Sequence, residues 1–129
     1  MNQVNELYGP SFEPIKYPKK LVFLLHGYGD NGNNFINLAQ NLHDSSIKIN
    51  FFAPSASSNI PQYPDGRQWF NLYPNGIYFK EAGPTEKEIM KKDYLKSVKE
   101  LDQYITKCCL NYNLSYQDCF ILGFSQGAM

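Results

Sequence analysis

The segment from Asp118 to Met129, DCFILGFSQGAM, is the most informative stretch of this chain. Its first part, Cys119 to Leu122, has the apolar composition of a short buried strand. Residues 123–127 then match G-x-S-x-G, a sharp turn between a strand and a helix that presents a nucleophilic serine, here Ser125. The two glycines of the pattern have a steric reason, because the strand and the helix pass too closely for a β-carbon at either position.

Two further apolar runs predict the rest of a sheet. Strands are expected at about 20–25 and 48–53, in addition to 118–123. Continuous apolar runs are typical of strands covered on both faces, and such strands belong to parallel sheets. The order of strands and helices along the chain therefore predicts an α/β domain with a mostly parallel sheet flanked by helices.

Apolar residues at helical spacing predict two helices. One is short, from Phe35 to Leu42, and the other is long, at about 85–110, with one face directed inward. Thr85 and Glu88 have the spacing of a capping box at the start of the long helix.

No linker divides the chain, so residues 1–129 are expected to form a single domain. Prolines predict an irregular N-terminal segment over residues 1–18. Residues 54–83 are rich in Pro, Ser, Gly and Asn, and a region of this length is expected either to be functional or to contain short elements.

Composition excludes several classes of partner. Twelve basic and twelve acidic residues give a formal charge of zero, so no nucleic-acid partner is expected. No apolar run approaches the ~18 residues of a membrane span, and the N-terminus does not resemble a secretory signal. Of the three cysteines, Cys108 and Cys109 are adjacent on a predicted helix and make no ligand pair. We therefore expect reduced thiols, a cytoplasmic location and no metal site.

A second motif, LLHGYGDNG at residues 24–32, follows the first apolar strand. A loop at this place supplies one donor of the oxyanion hole in α/β-hydrolases. Gly27 and Gly29 would let the backbone turn so that the amide of Tyr28 faces Ser125, and the amide of Gln126 would be the second donor. The alternative is a plain tight turn.

Three motifs, LLHGYGD, RQWF and LGFSQG, occur in this order from Lys19 to Met129. Together they resemble the phospholipase/carboxylesterase family of serine hydrolases, which includes the acyl-protein thioesterases. The resemblance implies an α/β-hydrolase fold and cleavage of carboxylic esters or thioesters without a cofactor. The substrate would be a small molecule or an acylated protein, although a peptidase or acyltransferase using the same turn stays open.

The resemblance also assigns roles to residues. Ser125 would be the nucleophile, Tyr28 and Gln126 the oxyanion-hole amides, and Trp69 and Phe70 the lining of the acyl side of the cleft. A buried aromatic core pair is the alternative for the last two.

The remaining candidates have simpler roles. His26 immediately precedes Gly27 and is interpreted as a residue that fixes the loop rather than as a general base. His43 follows a helix and is expected to interact with the helix dipole. Arg67, the only arginine, is assigned no role.

The family order of catalytic residues is serine, then Asp or Glu, then His. Both partners of Ser125 would then lie beyond Met129, so the chain is expected to be the N-terminal part of such a hydrolase and to be inactive by itself. The alternative is a non-catalytic remnant or interaction module that retains the half-fold. Strand 118–123 would keep an apolar free edge, through which the chain could self-associate.

Overall fold

The structure is a computed structural model that describes residues 4–129. Within these residues the chain forms a four-stranded sheet, a two-stranded hairpin and three α-helices, in the order β1 (Ser11–Phe12), β2 (Lys20–Leu25), α1 (Gly32–Phe35), α2 (Leu38–Leu42), β3 (Ile49–Phe52), β4 (Ser58–Ile60), β5 (Tyr63–Gln68), α3 (Pro84–Tyr112) and β6 (Cys119–Gly123). Single 3₁₀ turns lie at Pro74–Gly76, Phe79–Glu81, Tyr116–Asp118 and Ser125–Ala128.

The larger sheet has the strand order β1-β3-β2-β6. Strand β2 is parallel to both β3 and β6, which confirms the three predicted parallel strands. In the β2–β6 pair, Leu21 lies opposite Cys119 and Leu25 lies opposite Gly123. The carboxyl ends of these two strands therefore meet at the same edge of the sheet, where Gly27 and Ser125 follow them.

The prediction that residues 1–18 are irregular is wrong at Ser11–Phe12, and residues 1–3 lie outside the described part. Strand β1 pairs with β3 in the antiparallel direction, and Phe12 lies opposite Phe51 with ring centroids 6.3 Å apart. A strand of two residues between prolines has no readable periodicity. It forms because Phe12 packs on a strand that is distant in sequence.

Strand β2 is covered on both faces, as its continuous apolar run predicts. Successive side chains of a strand point to opposite faces, so Leu21 and Phe23 lie on one face and Leu24 on the other. The first face packs in a cluster that contains Leu21, Phe23, Phe52, Ile105, Cys108 and Cys109. The second face packs in a cluster that contains Leu24, Ala39, Phe51 and Ala53. Helix α3 therefore covers one side of the sheet and α2 covers the other.

The long helix is confirmed, but its start differs from the prediction. Gly83 is the N-cap and Pro84 is the first helical residue, so the proposed pairing of Thr85 with Glu88 is wrong. The carboxylate of Glu86 accepts the backbone N–H of Gly83 at 3.1 Å. Pro84 suits this position because its fixed φ is helical and its missing N–H needs no partner.

Only the C-terminal half of α3 has the predicted buried face. Ile105 and Cys108 are buried in the core, whereas Tyr94 and Val98 are 43% and 46% exposed. The N-terminal half packs instead on the segment after β5, where Met90 contacts the cluster of Trp69 and Phe70 and the Tyr94 ring lies 6.0 Å from the Phe70 ring.

Glu100 connects α3 to two other segments through a buried carboxylate. One oxygen accepts the backbone N–H of Asn5 at 2.7 Å, and the other accepts the hydroxyl of Ser57 at 2.7 Å. Lys96 lies 3.5 Å away, one helical turn earlier. A buried carboxylate is tolerated where donors satisfy it in this way.

The predicted helix from Phe35 to Leu42 is only partly confirmed, because α1 ends at Phe35 and α2 begins at Leu38. The side chain of Asn37 donates to the backbone carbonyl of Asn34 at 3.1 Å. Asparagine side chains compete with the backbone for such bonds, which interrupts a short helix.

The region 54–83 contains short elements, which is one of the two expectations stated for it. Strands β4 and β5 form an antiparallel hairpin with an irregularity between Asn59 and Ile60, and two 3₁₀ turns follow. The hairpin lies beside the site described below.

Strand β6 has the apolar composition of a buried strand, but it lies at the edge of the sheet and shows the free apolar edge predicted for residues 118–123. It pairs with β2 along one edge, and no other strand within residues 4–129 pairs with it. Phe120, Ile121 and Leu122 are 55%, 57% and 40% exposed.

Candidate active site

Ser125 lies at the sharp turn that the motif predicts. Strand β6 ends at Gly123, Phe124 is extended, and Ser125 has a φ of 54°. A positive φ is uncommon for a residue with a β-carbon and persists only where the surroundings impose it. The predicted unusual backbone of Ser125 is therefore confirmed.

Gly123 and Gly127 are sterically required. A β-carbon on Gly123 would lie 2.3 Å from the carbonyl oxygen of Gly127, and one on Gly127 would lie 2.2 Å from that of Leu25. Both distances are far below contact distance, and the atoms in the way are backbone. This confirms the steric interpretation of the two glycines.

The loop after β2 is held against the hairpin by backbone bonds. Gly29, with a φ of 83°, donates to the carbonyl of Arg67 at 2.9 Å, and Arg67 donates back to Asp30 at 2.9 Å. The Arg67 guanidinium also donates to the carbonyl of Ala56 at 3.2 Å. Arg67 thus fixes the loop, mainly through its backbone N–H and carbonyl. The sequence assigned it no role, because side-chain patterns do not reveal backbone hydrogen bonds.

This loop contacts the serine turn. A β-carbon on Gly27 would lie 3.5 Å from Ser125 Cβ and 3.3 Å from the carbonyl oxygen of Phe124. The peptide between Gly27 and Tyr28 is therefore close to Ser125. That the Tyr28 amide faces the serine stays a prediction.

His26 is fully buried and both of its ring nitrogens are engaged. Nε2 accepts the backbone N–H of Ala56 at 3.0 Å, and Nδ1 lies 2.8 Å from the carbonyl oxygen of Gly27. An amide N–H can only donate, so Nε2 carries no proton and Nδ1 donates to Gly27. Burial lowers the pKa of His26, which keeps the ring neutral. This geometry fits a residue that fixes the loop.

Trp69 and Gln126 connect the hairpin to the serine turn. The Gln126 side chain accepts the backbone N–H of Trp69 at 2.9 Å and donates to the carbonyl of Phe70 at 2.8 Å. The Trp69 indole N–H donates to the carbonyl of His26 at 2.8 Å, and the two rings stack 5.0 Å apart. The sequence indicated a role only for the backbone amide of Gln126. No sequence pattern reveals the role of its side chain, because both hydrogen-bond partners are backbone groups of a distant segment.

Trp69 and Phe70 are each 6% exposed and pack in a cluster with Leu7, Leu25 and Ala56. They also line a cavity of about 160 Å³ between α3 and the serine turn, together with Gln126 and Met129. Both interpretations of the pair, core and cavity lining, thus have a structural counterpart.

A larger cleft of about 460 Å³ opens on the other side of the loop. It is lined by Tyr28, Gln68 and two exposed tyrosines, Tyr63 and Tyr73. Burial raises the pKa of Tyr28, so its phenol is uncharged at neutral pH. The cleft is aromatic and uncharged at this end, which suits an apolar or peptide-like group more than an ionic one.

Between residues 4 and 129, no cluster of three or more His, Cys, Asp or Glu side chains could hold a metal ion. No helix in the same range is long and apolar enough to cross a membrane.

The profile of the phospholipase/carboxylesterase family matches residues 12–129. The chain belongs to this family. The match covers the loop after β2, the hairpin and the serine turn, which are the segments that form the site. The resemblance inferred from three short motifs is confirmed.

Two relatives extend the comparison. An uncharacterized hydrolase of Mycosarcoma maydis is 31% identical over 127 residues, covering 97% of this chain and 45% of the relative. Acyl-protein thioesterase 1 of Candida albicans is 29% identical over 116 residues, covering 85% of this chain and 47% of the relative. The chain spans about half the length of the curated relatives it matches.

Solved structures agree on the fold. Esterase PE8 matches with a TM-score of 0.78 at 29% identity, covering 97% of this chain and 55% of the other. A carboxylesterase from Mesorhizobium loti matches with a TM-score of 0.60 at 21% identity, covering 85% and 44%. The predicted α/β-hydrolase fold is confirmed, and the chain corresponds to about half of each structure.

The buried His26 predicts a dependence of stability on pH. Its pKa lies below the ordinary 6.5, so the unfolded chain binds the proton more tightly. Neutral His26 therefore contributes its full stabilisation above pH 6.5, and this contribution is lost as the pH falls below 6.5. Urea unfolding of wild type should give a falling free energy between about pH 7 and pH 5. His43→Gln should keep this slope and His26→Gln should flatten it; equal slopes in both variants would contradict the assignment.

The Gln126 side chain predicts a specific sensitivity to charge. Gln126→Glu keeps the acceptor for Trp69 but replaces the donor to Phe70 with an oxygen facing a carbonyl. We expect a loss of about 2–4 kcal/mol in the free energy of unfolding, measured by urea denaturation with the single tryptophan as the fluorescent probe. Gln103→Glu, at an exposed position of α3, is the matched control and should change stability by less than about 0.5 kcal/mol.

Proposed function

We propose that the intact protein hydrolyses carboxylic esters or thioesters, with Ser125 as the nucleophile. The observation that carries the proposal is the backbone of Ser125, which has a φ of 54° directly after a parallel strand and lies against the loop at Gly27. Family membership supports the same chemistry. A strained serine at this position presents its hydroxyl outward, and Ser125 is exposed.

The amides of Tyr28 and Gln126 are the proposed oxyanion-hole donors. A tetrahedral intermediate of acyl transfer develops a negative oxygen, and one preorganised donor there is worth about 3 kcal/mol. Gln126 is suited to this because both polar atoms of its side chain are bonded to the backbone just after β5, at Trp69 and Phe70. The Tyr28 loop is suited because the backbone of β5 holds it on the other side.

The substrate class follows from the two cavities. We assign the acyl side to Trp69 and Phe70, which line the smaller, apolar cavity beside the turn. The tyrosine-lined cleft at Tyr28 would take the alcohol, thiol or peptide portion. A small-molecule ester and an acylated protein both fit this division, and the name of the Candida albicans relative favours a thioester on a protein. No cofactor is required, and a cytoplasmic location agrees with the three free cysteines.

A general base is not available from the histidines of this chain. Turnover requires a group that takes the Ser125 proton and returns it to the leaving group. The chain has two histidines, and both nitrogens of His26 are engaged. His43 contacts Phe12 at 5.3 Å, at the β1 edge of the sheet. Three strand spacings, about 14 Å, separate that edge from β6. We therefore propose that the 129-residue polypeptide is inactive by itself.

Hydrolysis of p-nitrophenyl butyrate tests this proposal. The 129-residue polypeptide should hydrolyse the ester within about twofold of its Ser125→Ala variant, because serine without a base is a weak nucleophile. A longer product of the same reading frame that adds an Asp and a His should exceed its own Ser125→Ala variant by a factor of about 10⁴ or more in kcat. Ser45→Ala, at an exposed serine, is the control and should leave both rates unchanged.

Two results would contradict the proposal. Clear turnover by the 129-residue polypeptide that Ser125→Ala abolishes would mean that a base lies among these residues. A longer product that is folded, carries the added Asp and His and still fails on oxygen esters and thioesters alike would reject the hydrolase assignment.

The second candidate function is an interaction module, and the exposure of β6 favours it. Phe120, Ile121 and Leu122 present apolar groups on both faces of an edge strand, next to an exposed Phe124. Free, apolar strand edges pair with other strands. We propose that the 129-residue polypeptide self-associates through this edge, with β6 of one copy beside β6 of another.

Analytical ultracentrifugation over a range of concentrations tests the association. Wild type should form dimers or larger species, and Ile121→Lys should shift the population to monomer, because a buried lysine at the shared edge is costly. Leu42→Lys changes a residue of similar exposure, 45% against 57%, on α2 and should leave the association intact. A wild-type chain that is monomeric throughout, or equal effects of the two variants, would contradict the proposal.

A further inference from the structure

Two cysteine sulfurs meet between α3 and β6. Cys109 Sγ lies 3.3 Å from Cys119 Sγ, within the range of a thiol–thiol hydrogen bond. The two residues are on different elements and are separated by the whole turn that joins them. Neither is used by the candidate active site, and the pairing is invisible in the sequence, where the adjacent Cys108 and Cys109 attract attention instead.

The turn between the two cysteines is well fixed. Helix α3 ends at Tyr112, the capping residue Asn113 has a φ of 56°, and the N–H of Leu114 donates to the carbonyl of Cys109 at 2.9 Å. Asp118 then accepts the N–H of Ser115 at 3.0 Å and pairs with Lys20 at 3.3 Å. Both ends of the turn are therefore anchored, one on the helix and the other on the sheet.

Cys108 provides an internal comparison. It is a buried thiol on the same helix and in the same core cluster as Cys109. Successive helical residues differ by about 100° in direction, so the two side chains cannot meet the same sulfur of β6.

We propose that Cys109 and Cys119 are a site of reversible disulfide formation, which links α3 covalently to the strand that leads into Ser125. The sulfurs must approach by only about 1.3 Å from their present 3.3 Å to reach bonding distance. Rotation about the two Cα–Cβ bonds changes the distance between the sulfurs. The link would close a short loop around an existing turn, since the two cysteines are ten positions apart.

The oxidant is a hydroperoxide, such as hydrogen peroxide. Cys119 is the more exposed of the pair, and its sulfur attacks a peroxide oxygen, breaking the O–O bond to give a sulfenic acid and one water. The sulfur of Cys109 then attacks the sulfenic sulfur, forming the S–S bond and releasing a second water. The two thiols together lose two protons and two electrons, which the peroxide accepts.

The rate of this reaction should be low at neutral pH. Burial raises the pKa of Cys119 to about 12, so little thiolate is present, and the thiolate is the reactive form. Below the pKa, each increase of one pH unit raises the thiolate fraction about tenfold. Oxidation should therefore be faster at alkaline pH. The pair is therefore suited to slow oxidation and not to rapid sensing.

Peptide mapping of the wild-type protein tests the site directly. The folded chain is treated with hydrogen peroxide, free thiols are blocked with N-ethylmaleimide, and the product is digested with chymotrypsin without reduction. No lysine or arginine lies between Cys108 and Cys119, so trypsin cannot separate them, whereas Tyr112 and Tyr116 offer chymotrypsin sites within the loop. We expect one blocked thiol, at Cys108, and a peptide pair joined through Cys109 and Cys119.

Matched variants and a thermal measurement complete the test. Cys108→Ser should keep the link, and Cys109→Ser and Cys119→Ser should each abolish it. The oxidised wild type should melt about 5–10 °C above the reduced protein, and reduction with dithiothreitol should reverse the shift.

Three results would overturn the proposal. They are a link that involves Cys108, links that are only intermolecular, and three thiols that stay reactive under conditions that oxidise the urea-unfolded chain. If Cys109→Ser or Cys119→Ser fails to fold, the wild-type map is sufficient.

Discussion

The contact of Gly127 with the end of β2 is the constraint on which the site depends. A β-carbon at this position would lie 2.2 Å from the carbonyl oxygen of Leu25 and 2.6 Å from that of His26. The serine turn can therefore lie directly on the loop after β2 only because residue 127 has no side chain. This contact, together with the pairing of β2 with β6, holds Ser125 in its positive-φ conformation beside Gly27.

A single polar network then connects this contact to the hairpin. The Gln126 side chain bonds the backbone at Trp69 and Phe70, the Trp69 indole bonds the carbonyl of His26, and His26 bonds the backbone of Ala56. Each buried polar group in this series has a partner, which is the condition under which a buried network adds rigidity. Trp69 and His26 therefore support the serine turn from within the core, and Ser125 is the exposed group.

The centre of the sheet and its β6 edge differ in how completely other elements cover them. Around β2 and β3 the core is closed, with α3 on one face and α2 on the other. At β6, and at the N-terminal half of α3, apolar side chains remain exposed, Phe120, Ile121 and Val98 among them. The chain matches about half of each similar solved structure. It is therefore a half of the α/β-hydrolase fold, with a closed core around β2 and β3 and an exposed edge at β6.

The sequence by itself determined the parallel strands, the long helix and the serine turn, because each rests on local chemistry. A doubly covered strand must be apolar throughout, and a turn without space for a β-carbon must contain glycine. Tertiary structure alone decided the pairing of β1, the division of the short helix, the N-cap at Gly83, the role of Arg67, the side-chain bonds of Gln126 and the meeting of Cys109 with Cys119. These features join a side chain or a short segment to groups elsewhere in the chain, or depend on which of several local hydrogen bonds prevails. Sequence periodicity records which face a residue occupies and not which partner it meets there.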